Sequence, residues 1–435
     1  MSHKPQCTPA EHILSRRMLL GGAGLGAVAA AAQMTGLNVL NRPAVAGQLK
    51  SQGKSCILLW LAGGASQLET YDPKPGRPTG GPFAAIPTSV PGVHISELMP
   101  KLAKDLSRHT CLIRSLNTHN GDHGGGAELM MRGRRDEAAL KYPDLGAVLA
   151  KELGHADSQV PDYVSMFSTT EGRGAAKINP GFLGSRYAPI KLTDSMIPQN
   201  LSRLEQIDEL DHRERADLRE LMSRRFAQQR NNPIVDSHRT AYDRVRGLMS
   251  SEKLFDLSRE PEAIRSEYGP TQFAEQAIIA RRLVEAGVPF VRVARGWWDS
   301  HGQNFETHLE MVTELDHVMT TLLNDLDRRG LLETTLVCVF GEFGRTPNIN
   351  ASLGRDHFAS AWSASLSGCG IVPGAVYGKT DEDGRTVIEG EVGAAELFAT
   401  IYSALGIDPE KEYHVGARPV PLVDPYTYPI RSILA

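Results

Sequence analysis

The stretch TLVCVFGEFGRTPNINASLGRDHF, residues 335–358, joins an apolar run to a polar loop. Its first six residues are apolar or β-branched, which predicts a buried strand. Glycines follow at once, and the loop then carries Glu342, Arg345, Asp356 and His357. Ionisable side chains directly after a buried strand are typical of a site at the carboxyl end of that strand. The rest of the sequence shows which sheet this strand joins.

Four other apolar runs predict strands of the same kind: SCILLWLA (residues 55–62), TCLIRSL (110–116), VSMF (164–167) and PFVRVA (289–294). Longer segments with apolar residues at helical spacing lie between them. One ends at Gly287, and the other ends at Gly330 and contains Leu309, Val312, Leu315, Met319, Leu322 and Leu326. Buried strands that alternate with such helices predict an α/β fold, with a doubly wound, mostly parallel sheet and helices on both faces.

The first 46 residues predict an export signal. Arg16 and Arg17 precede an apolar stretch of small residues, and Ala44 and Ala46 fit a small-x-small cleavage site. The paired arginines are typical of a twin-arginine leader, which carries proteins across already folded. We expect a mature chain of residues 47–435, periplasmic or secreted. We expect no membrane span in it, because no other apolar run approaches about 20 residues.

Charge distinguishes the middle of the chain. Residues 201–259 are rich in charge, have a helical pattern and show no strand, which predicts a helical insertion in the sheet domain. The whole chain has 47 basic and 51 acidic residues and no basic stripe, which argues against a nucleic-acid-binding protein. The absence of a CxxC spacing argues against a thiolate zinc site and a dense disulfide framework.

Polar clusters follow four of the predicted strands. They are Ser66, Glu69 and Asp72 after the first strand, Thr118, His119, Asp122 and His123 after the second, Asp299 and His301 after residues 289–294, and the loop described above after residues 335–340. Because the carboxyl ends of parallel strands meet at one edge, we expect the clusters to converge there. Taken singly, each cluster also fits an ordinary turn, because Gly, Asp and Asn are turn formers.

Together the clusters predict a metal or anion site. Mixed imidazole and carboxylate ligands suit zinc or manganese better than calcium, which prefers oxygen alone. Asp356 could be a further ligand or the acceptor that fixes an imidazole. Arg345 could hold two oxygens of a substrate anion, or it could form a salt bridge to Glu342 or Asp356. The glycines 124–126 could begin a helix whose free N–H groups face an anion.

Five ordered motifs carry a resemblance to a known family. GGASQLETYDPKPG, GDHGGG, WDSHGQNF, GEFGRTP and GRDHF, after the leader, resemble the domain-of-unknown-function family 1501. That family is associated with the sulfatase and alkaline-phosphatase superfamily. The resemblance covers nearly all of the mature chain. It implies an alkaline-phosphatase-like sheet with a metal site at the strand ends.

The resemblance also implies roles for single residues. Asp299 and His301 resemble a pair that holds one metal ion. Glu342 stands where related enzymes carry the aspartate of a DH pair, and His357, with Asp356 beside it, resembles a late histidine ligand.

This sequence departs from the pattern of that superfamily in two places, the nucleophile and the acidic ligands of a second metal ion. His123 stands where sulfatases place a cysteine or serine, and neither C-x-P-x-R nor S-x-P-x-R follows. The first strand lacks the usual acidic pair, for which Glu69 or Asp72 could substitute. A one-metal site and a degenerate site both stay open.

We therefore expect an exported metal-dependent hydrolase of sulfate or phosphate esters, with an anionic ester or a sulfated polysaccharide as substrate. Thr118, Ser66 or water bound to the ion would be the nucleophile. The alternative is a non-catalytic binding or scaffold protein of the same fold. The missing nucleophile motif favours that alternative, and the carboxylate and histidine clusters favour the hydrolase.

Overall fold

The predicted strand of residues 335–340 lies in the middle of an eight-stranded sheet. β1 (Ser55–Leu61) pairs in parallel with β7 (Phe290–Arg295) on one side and with β8 (Thr335–Phe340) on the other. Every residue of β1 and β8 is buried, because layers of side chains cover both faces of the sheet. β4 (Thr110–Leu116) and β5 (Tyr163–Phe167) complete the five predicted strands, all of which are confirmed.

The sheet also contains three strands that the sequence analysis did not predict: β6 (Ile190–Thr193), β11 (Trp362–Gly368) and β12 (Val376–Tyr377). The strand order is β12-β4-β11-β8-β1-β7-β5-β6. β11 runs antiparallel to both β4 and β8, whereas the other neighbours pair in parallel. The prediction of a mostly parallel sheet is confirmed, with one antiparallel strand near its centre.

Two apolar layers flank the sheet. Along β1, Cys56, Leu58 and Trp60 face one hydrophobic cluster, whereas Ile57 and Leu59 face the other. The described helices are α1 (Pro100–His109), α2 (His123–Arg132), α3 (Leu145–Leu153), α4 (Glu209–Gln229), α5 (Glu252–Phe255), α6 (Glu262–Tyr268), α7 (Gln272–Glu285), α8 (Asn304–Arg328) and α9 (Ala394–Ala404). Residues of α2, α3 and α9 pack on the first side, and residues of α1, α7 and α8 pack on the second. Helices on both faces are therefore confirmed.

The two helices predicted to end at a glycine both end next to that glycine in the structure. α7 ends just before Gly287, and α8 ends just before Gly330, both of which have positive φ angles. The apolar stripe of α8 is buried as predicted except at Leu309, which is 53% exposed.

Four two-stranded ladders complete the strands: β2 (Ala85–Pro87) with β3 (His94–Ser96), β9 (Gly344–Arg345) with β10 (His357–Phe358), β13 (Lys379–Thr380) with β14 (Val387–Glu389), and β15 (Glu412–Val415) with β16 (Arg418–Pro421). The β9–β10 ladder matters most for the site. It pairs Arg345 with His357 and folds the loop after β8 back onto itself.

The computed structural model describes residues 53–155, 158, 160–167, 178–194, 206–229, 247, 249 and 251–435. The predicted leader lies outside them, and so does much of the predicted insertion, of which α4 and α5 are described. Leu49–Ala435 form one compact unit. Among the described helices, none combines the length and the apolar character needed to cross a membrane.

Candidate metal centre

Loops after parallel strands meet at one edge of the sheet. Asp299 and His301 lie in the loop after β7, and Glu342 lies just after β8. His123 is the first residue of α2, which follows β4, and His357 begins β10. The structure therefore brings residues from three of the four predicted clusters together.

Asp299 is the centre of this group. Its Oδ2 atom lies 3.1 Å from Nε2 of His123, and its Oδ1 atom lies 3.1 Å from Nε2 of both His301 and His357. The Nε2 atoms of His301 and His357 are 3.0 Å apart. The ligand atoms of His123, Asp299 and His357 all lie within 4.8 Å of one another, which suits a shared metal ion. We call these four residues the Asp299 cluster.

The other ring nitrogen of each histidine faces an oxygen acceptor. The acceptors are Oε1 of Glu342 at 2.9 Å from His123, Oδ1 of Asp356 at 2.8 Å from His301, and the main-chain oxygen of Gly121 at 2.7 Å from His357. Because these oxygens can only accept, each Nδ1 carries a proton, and Nε2 is the ring atom that faces Asp299. When Nε2 carries no proton, its lone pair is the one that a metal ion can use. Hydrogen bonds of this kind fix the orientation of metal-binding histidines.

Three imidazole lone pairs and one carboxylate directed at the same place need a positive charge between them. Ligand atoms around an ion with bonds of about 2.0 to 2.2 Å lie roughly 3 to 3.5 Å apart. The separations of 3.0 and 3.1 Å among Asp299, His301 and His357 agree with this spacing. A donor set of nitrogen and oxygen without thiolate suits zinc or manganese. The residues present fit a divalent metal ion.

Without an ion, protons can provide the positive charge. Hydrogen bonds to Asp299 and then to Glu342 raise the pKa of His123 to about 9. Burial alone would raise the pKa of Asp299, but hydrogen bonds from His123, His357 and Arg345 hold it well below its usual range. A proton on Nε2 of His123 occupies the lone pair that a metal ion requires. Protons and a metal ion therefore compete for this cluster.

Glu342 and Asp356 each accept a hydrogen bond from a histidine of the cluster. Glu342 is fully buried, and its Oε1 accepts hydrogen bonds from the main-chain N–H of Gly63 and from His123. Asp356 accepts from His301. The structure therefore adds His123 to the candidate ligands and shows Glu342 hydrogen-bonded to it. That Glu342 is also a direct ligand stays a prediction. For Asp356, the structure shows the acceptor arrangement, the second of the two options considered.

Arg345 is fully buried beneath Asp299. Its guanidinium group donates to Oδ1 of Asp299 at 2.6 Å and to the main-chain oxygens of Gly63, Gly64 and Arg355. Burial lowers its pKa, although Asp299 opposes that shift. The expectation that Arg345 faces a substrate anion is wrong, because the group is buried among these acceptors. Its salt-bridge partner is Asp299 and neither of the two acidic residues considered from the sequence.

The two candidate hydroxyl nucleophiles are buried. The Thr118 side chain is 6% exposed, and its hydroxyl has no hydrogen-bond partner among the described residues. Ser66 is fully buried, and its main-chain N–H donates to Nε2 of His308. None of the hydrogen bonds of the Asp299 cluster involves either hydroxyl.

The two candidate ligands for a second ion are also engaged elsewhere. Glu69 is fully buried against Arg355, at 2.7 Å between Oε1 and Nη2. Asp72 accepts hydrogen bonds from Lys74 and Thr380. Among the described residues, His123, Asp299 and His357 are the group whose ligand atoms lie close enough to share an ion, so this edge has one candidate metal centre.

The glycines after His123 do begin a helix, but its first turn is already capped. The Asp122 side chain accepts from the N–H of Gly125 at 2.7 Å. The expected anion site of free N–H groups is corrected at that position, because Asp122 provides the negative charge that the helix start favours.

Sequence reasoning did not recognise Arg355, which directly precedes Asp356 and His357. Its side chain is fully buried and makes two hydrogen bonds to Glu69. The motif GRDHF contained the residue, but an arginine in a polar loop gives no sign that it will be buried.

The fold and the centre together define an α/β protein with a candidate metal site at the carboxyl edge of its sheet. The chain belongs to the family described as Protein of unknown function (DUF1501), whose sequence profile matches residues 53–434. This match confirms the resemblance carried by the five motifs. The comparison with curated proteins found no match.

Several solved structures are similar to this chain at low sequence identity. The PsFucS1 sulfatase from Pseudoalteromonas sp. matches with 14% identity and a TM-score of 0.37, over 84% of this chain and 72% of that one. The alkaline phosphatase from the Antarctic bacterium TAB5 matches with 14% identity and a TM-score of 0.35, over 81% and 98%. The phosphonate monoester hydrolase of Agrobacterium radiobacter matches with 12% identity and a TM-score of 0.32, over 83% and 75%.

Proposed function

We propose that this chain is an exported metal-dependent hydrolase of sulfate or phosphate esters. The observation that supports it is the Asp299 cluster, in which three Nε2 atoms and one carboxylate converge at the carboxyl edge of the sheet. A bound divalent ion, zinc or manganese before calcium, would polarise an ester oxygen and help to activate a nucleophile.

The residues of the chain would hold and orient that ion. Asp299, His301, His357 and His123 would bind it, and Arg345 would keep the Asp299 carboxylate in place from below. The side chains of Asp299 and His301 are 42% and 48% exposed, so an anionic ester can reach this edge from solvent.

Water is the nucleophile that we propose. The Thr118 and Ser66 hydroxyls are buried, and His123, at the start of α2, is already bonded to Asp299 and Glu342. Sulfated polysaccharides stay among the proposed substrates, together with smaller anionic esters.

The second candidate function is a metal-binding scaffold without catalysis. The hydrogen bonds of His123 favour the scaffold, because a histidine whose two ring nitrogens are both hydrogen-bonded is not available as a nucleophile. Both functions require the metal, and they differ in whether an ester is hydrolysed.

Metal analysis and an ester screen would separate the two functions. We expect the purified chain to bind zinc or manganese and to hydrolyse at least one aryl sulfate, aryl phosphate or sulfated polysaccharide. Asp299→Asn and His357→Ala should each lower bound metal and activity. His119→Asn is the matched control, because His119 is an exposed histidine outside the cluster with φ of 51°, and asparagine tolerates that backbone.

Bound metal without hydrolysis of any ester would favour the scaffold. A chain that binds neither zinc nor manganese, or an Asp299→Asn variant with full metal content, would contradict both functions.

A further inference from the structure

Glu69 is a fully buried carboxylate whose hydrogen bonds go to Arg355 and Asn304 and to none of the four cluster residues. Its Oε1 accepts from Nη2 of Arg355 at 2.7 Å, and its Oε2 accepts from Nε of Arg355 and from Nδ2 of Asn304, both at 3.1 Å. A two-point pair of this kind fixes the planes of both groups. Glu69 therefore joins the loop after β1 to two other loops.

The first of these loops carries His357. Arg355 is two residues before His357, and its guanidinium group also donates to the main-chain oxygens of Thr79, Thr346 and Pro347. These bonds hold both ends of the long loop after β8. The position of the His357 ring follows from the position of this backbone.

The second loop carries Asp299 and His301. Asn304, the first residue of α8, accepts from the Ser300 hydroxyl at 2.6 Å through its side-chain oxygen. Its main-chain oxygen faces Nδ1 of His308 at 2.9 Å. Ser300 lies between the two ligands, so the bond from Asn304 to Glu69 fixes the segment that presents both.

We propose that Glu69 is a positioning residue of the metal centre, which stabilises the contact between the loop of Asp299 and His301 and the loop of His357. This inference rests on the proposed metal centre and adds to it a residue that the ion does not contact. The two loops are also bonded directly, since the main-chain N–H of Arg355 donates to the main-chain oxygen of Ser300 at 3.1 Å and Nδ2 of Asn350 donates to that of His301 at 3.0 Å. Glu69 adds a buried carboxylate that holds the Arg355 and Asn304 side chains on the two sides of this contact.

The test is the affinity for Zn²⁺ of the full chain, measured by competition with a chelating dye. Glu69→Gln keeps the shape of the side chain but turns an N–H₂ group towards the donors of Arg355 or Asn304. We expect Zn²⁺ affinity to fall about tenfold or more, the range found when residues that orient metal ligands are replaced. Arg355→Lys, which keeps the charge but loses the two-point pair, should lower the affinity as well.

Glu260→Gln is the matched control. Glu260 is 7% exposed and bonded to the buried Arg281, in a pair whose residues lie outside the centre. It should lower the thermal midpoint as Glu69→Gln does, and it should leave Zn²⁺ affinity within about twofold of wild type.

The outcomes distinguish this inference from the function it rests on. If wild type binds Zn²⁺ and both folded variants, Glu69→Gln and Arg355→Lys, bind it equally well, the positioning role is refuted and the metal centre stands. If Glu260→Gln weakens binding as much as they do, the effect is general destabilisation and the inference is again refuted. If wild type binds no Zn²⁺, the proposed metal centre itself fails.

Discussion

His308 is a buried histidine whose two ring nitrogens have different roles. Nδ1 donates to the main-chain oxygen of Asn304, and Nε2 accepts from the N–H of Ser66, both at 2.9 Å. Such a ring is neutral, because a second proton would face the Ser66 donor. Burial lowers the pKa of His308 to about 4.

This arrangement makes stability depend on pH. In the unfolded chain the residue takes up its proton near pH 6.5, whereas in the folded chain it does so near pH 4. Its contribution is fully present above about pH 6.5 and is lost as the pH falls towards 4, because the unfolded state then binds more protons. We predict a loss of roughly 3 kcal/mol in unfolding free energy over that range.

Urea unfolding at a series of pH values would measure the loss. His308→Gln, which offers an acceptor to Ser66 but does not titrate, should show a shallower pH dependence than wild type. His414→Gln, at an exposed histidine, should keep the wild-type slope. Equal slopes for wild type and His308→Gln would show that His308 is not the cause.

Individual residues of the centre could be predicted only in part. The positions of Asp299, His301 and His357 after strands or in a returning loop indicated which edge of the sheet they occupy. The sequence does not show which way a side chain points once it is there. Glu342 and Arg345 were placed at the correct edge, but both are buried and hold other residues.

Two glycines in turns differ in what their surroundings allow. Gly330 ends α8 with φ of 68°, and a Cβ there would meet nothing within 4 Å. Gly63 follows β1 with φ of 112°, and a Cβ there would lie 2.5 Å from the main-chain nitrogen of Asp299. The first glycine is needed for its backbone angle alone, whereas the second is also needed for space.

We predict different results when each glycine becomes alanine. Gly330→Ala should cost about 1 kcal/mol of unfolding free energy, the cost of a left-handed backbone for alanine, and should leave metal content unchanged. Gly63→Ala should cost more and should also lower bound metal, because the loop of Asp299 must move. Urea unfolding and metal analysis of the two variants would check this. Full metal content in Gly63→Ala would contradict the prediction.

Among the secondary-structure elements, the strands that could be predicted from the sequence are those with an apolar composition. The five strands that were found are continuous apolar runs. β11 was missed because its sequence, WSASLSG, alternates with serine. Two of its three serines are buried and paired: the Ser365 hydroxyl lies 3.1 Å from that of Tyr71, and the Ser367 hydroxyl lies 3.0 Å from that of Thr110. Hydrogen-bond partners that are distant in sequence allow this strand to be buried in the core. No local sequence pattern reveals those partners.

For the whole molecule, export stays a prediction, since the leader lies outside the described residues. Replacing Arg16 and Arg17 with lysine should leave the precursor uncleaved in the cytoplasm, because the twin-arginine route requires the arginine pair. Fractionation and N-terminal sequencing would test it. A mature form that still begins near Gly47 outside the cytoplasm would refute the twin-arginine route. Replacing Arg42 in the same leader is the control and should leave export intact.

The place of β11 in the sheet has a consequence for synthesis on the ribosome. The neighbours of β4 in the sheet are β11 and β12, which are both translated much later. Thr110 in β4, for example, pairs with Ser367, which lies 257 positions further along the chain. The nascent chain therefore carries an apolar strand with two open edges until most of it has been translated, a state prone to association with other chains. The eight-stranded sheet can be completed only when nearly the whole chain has been translated. We infer that prematurely ended chains cannot complete the sheet, and that chaperones have a long interval in which to bind them.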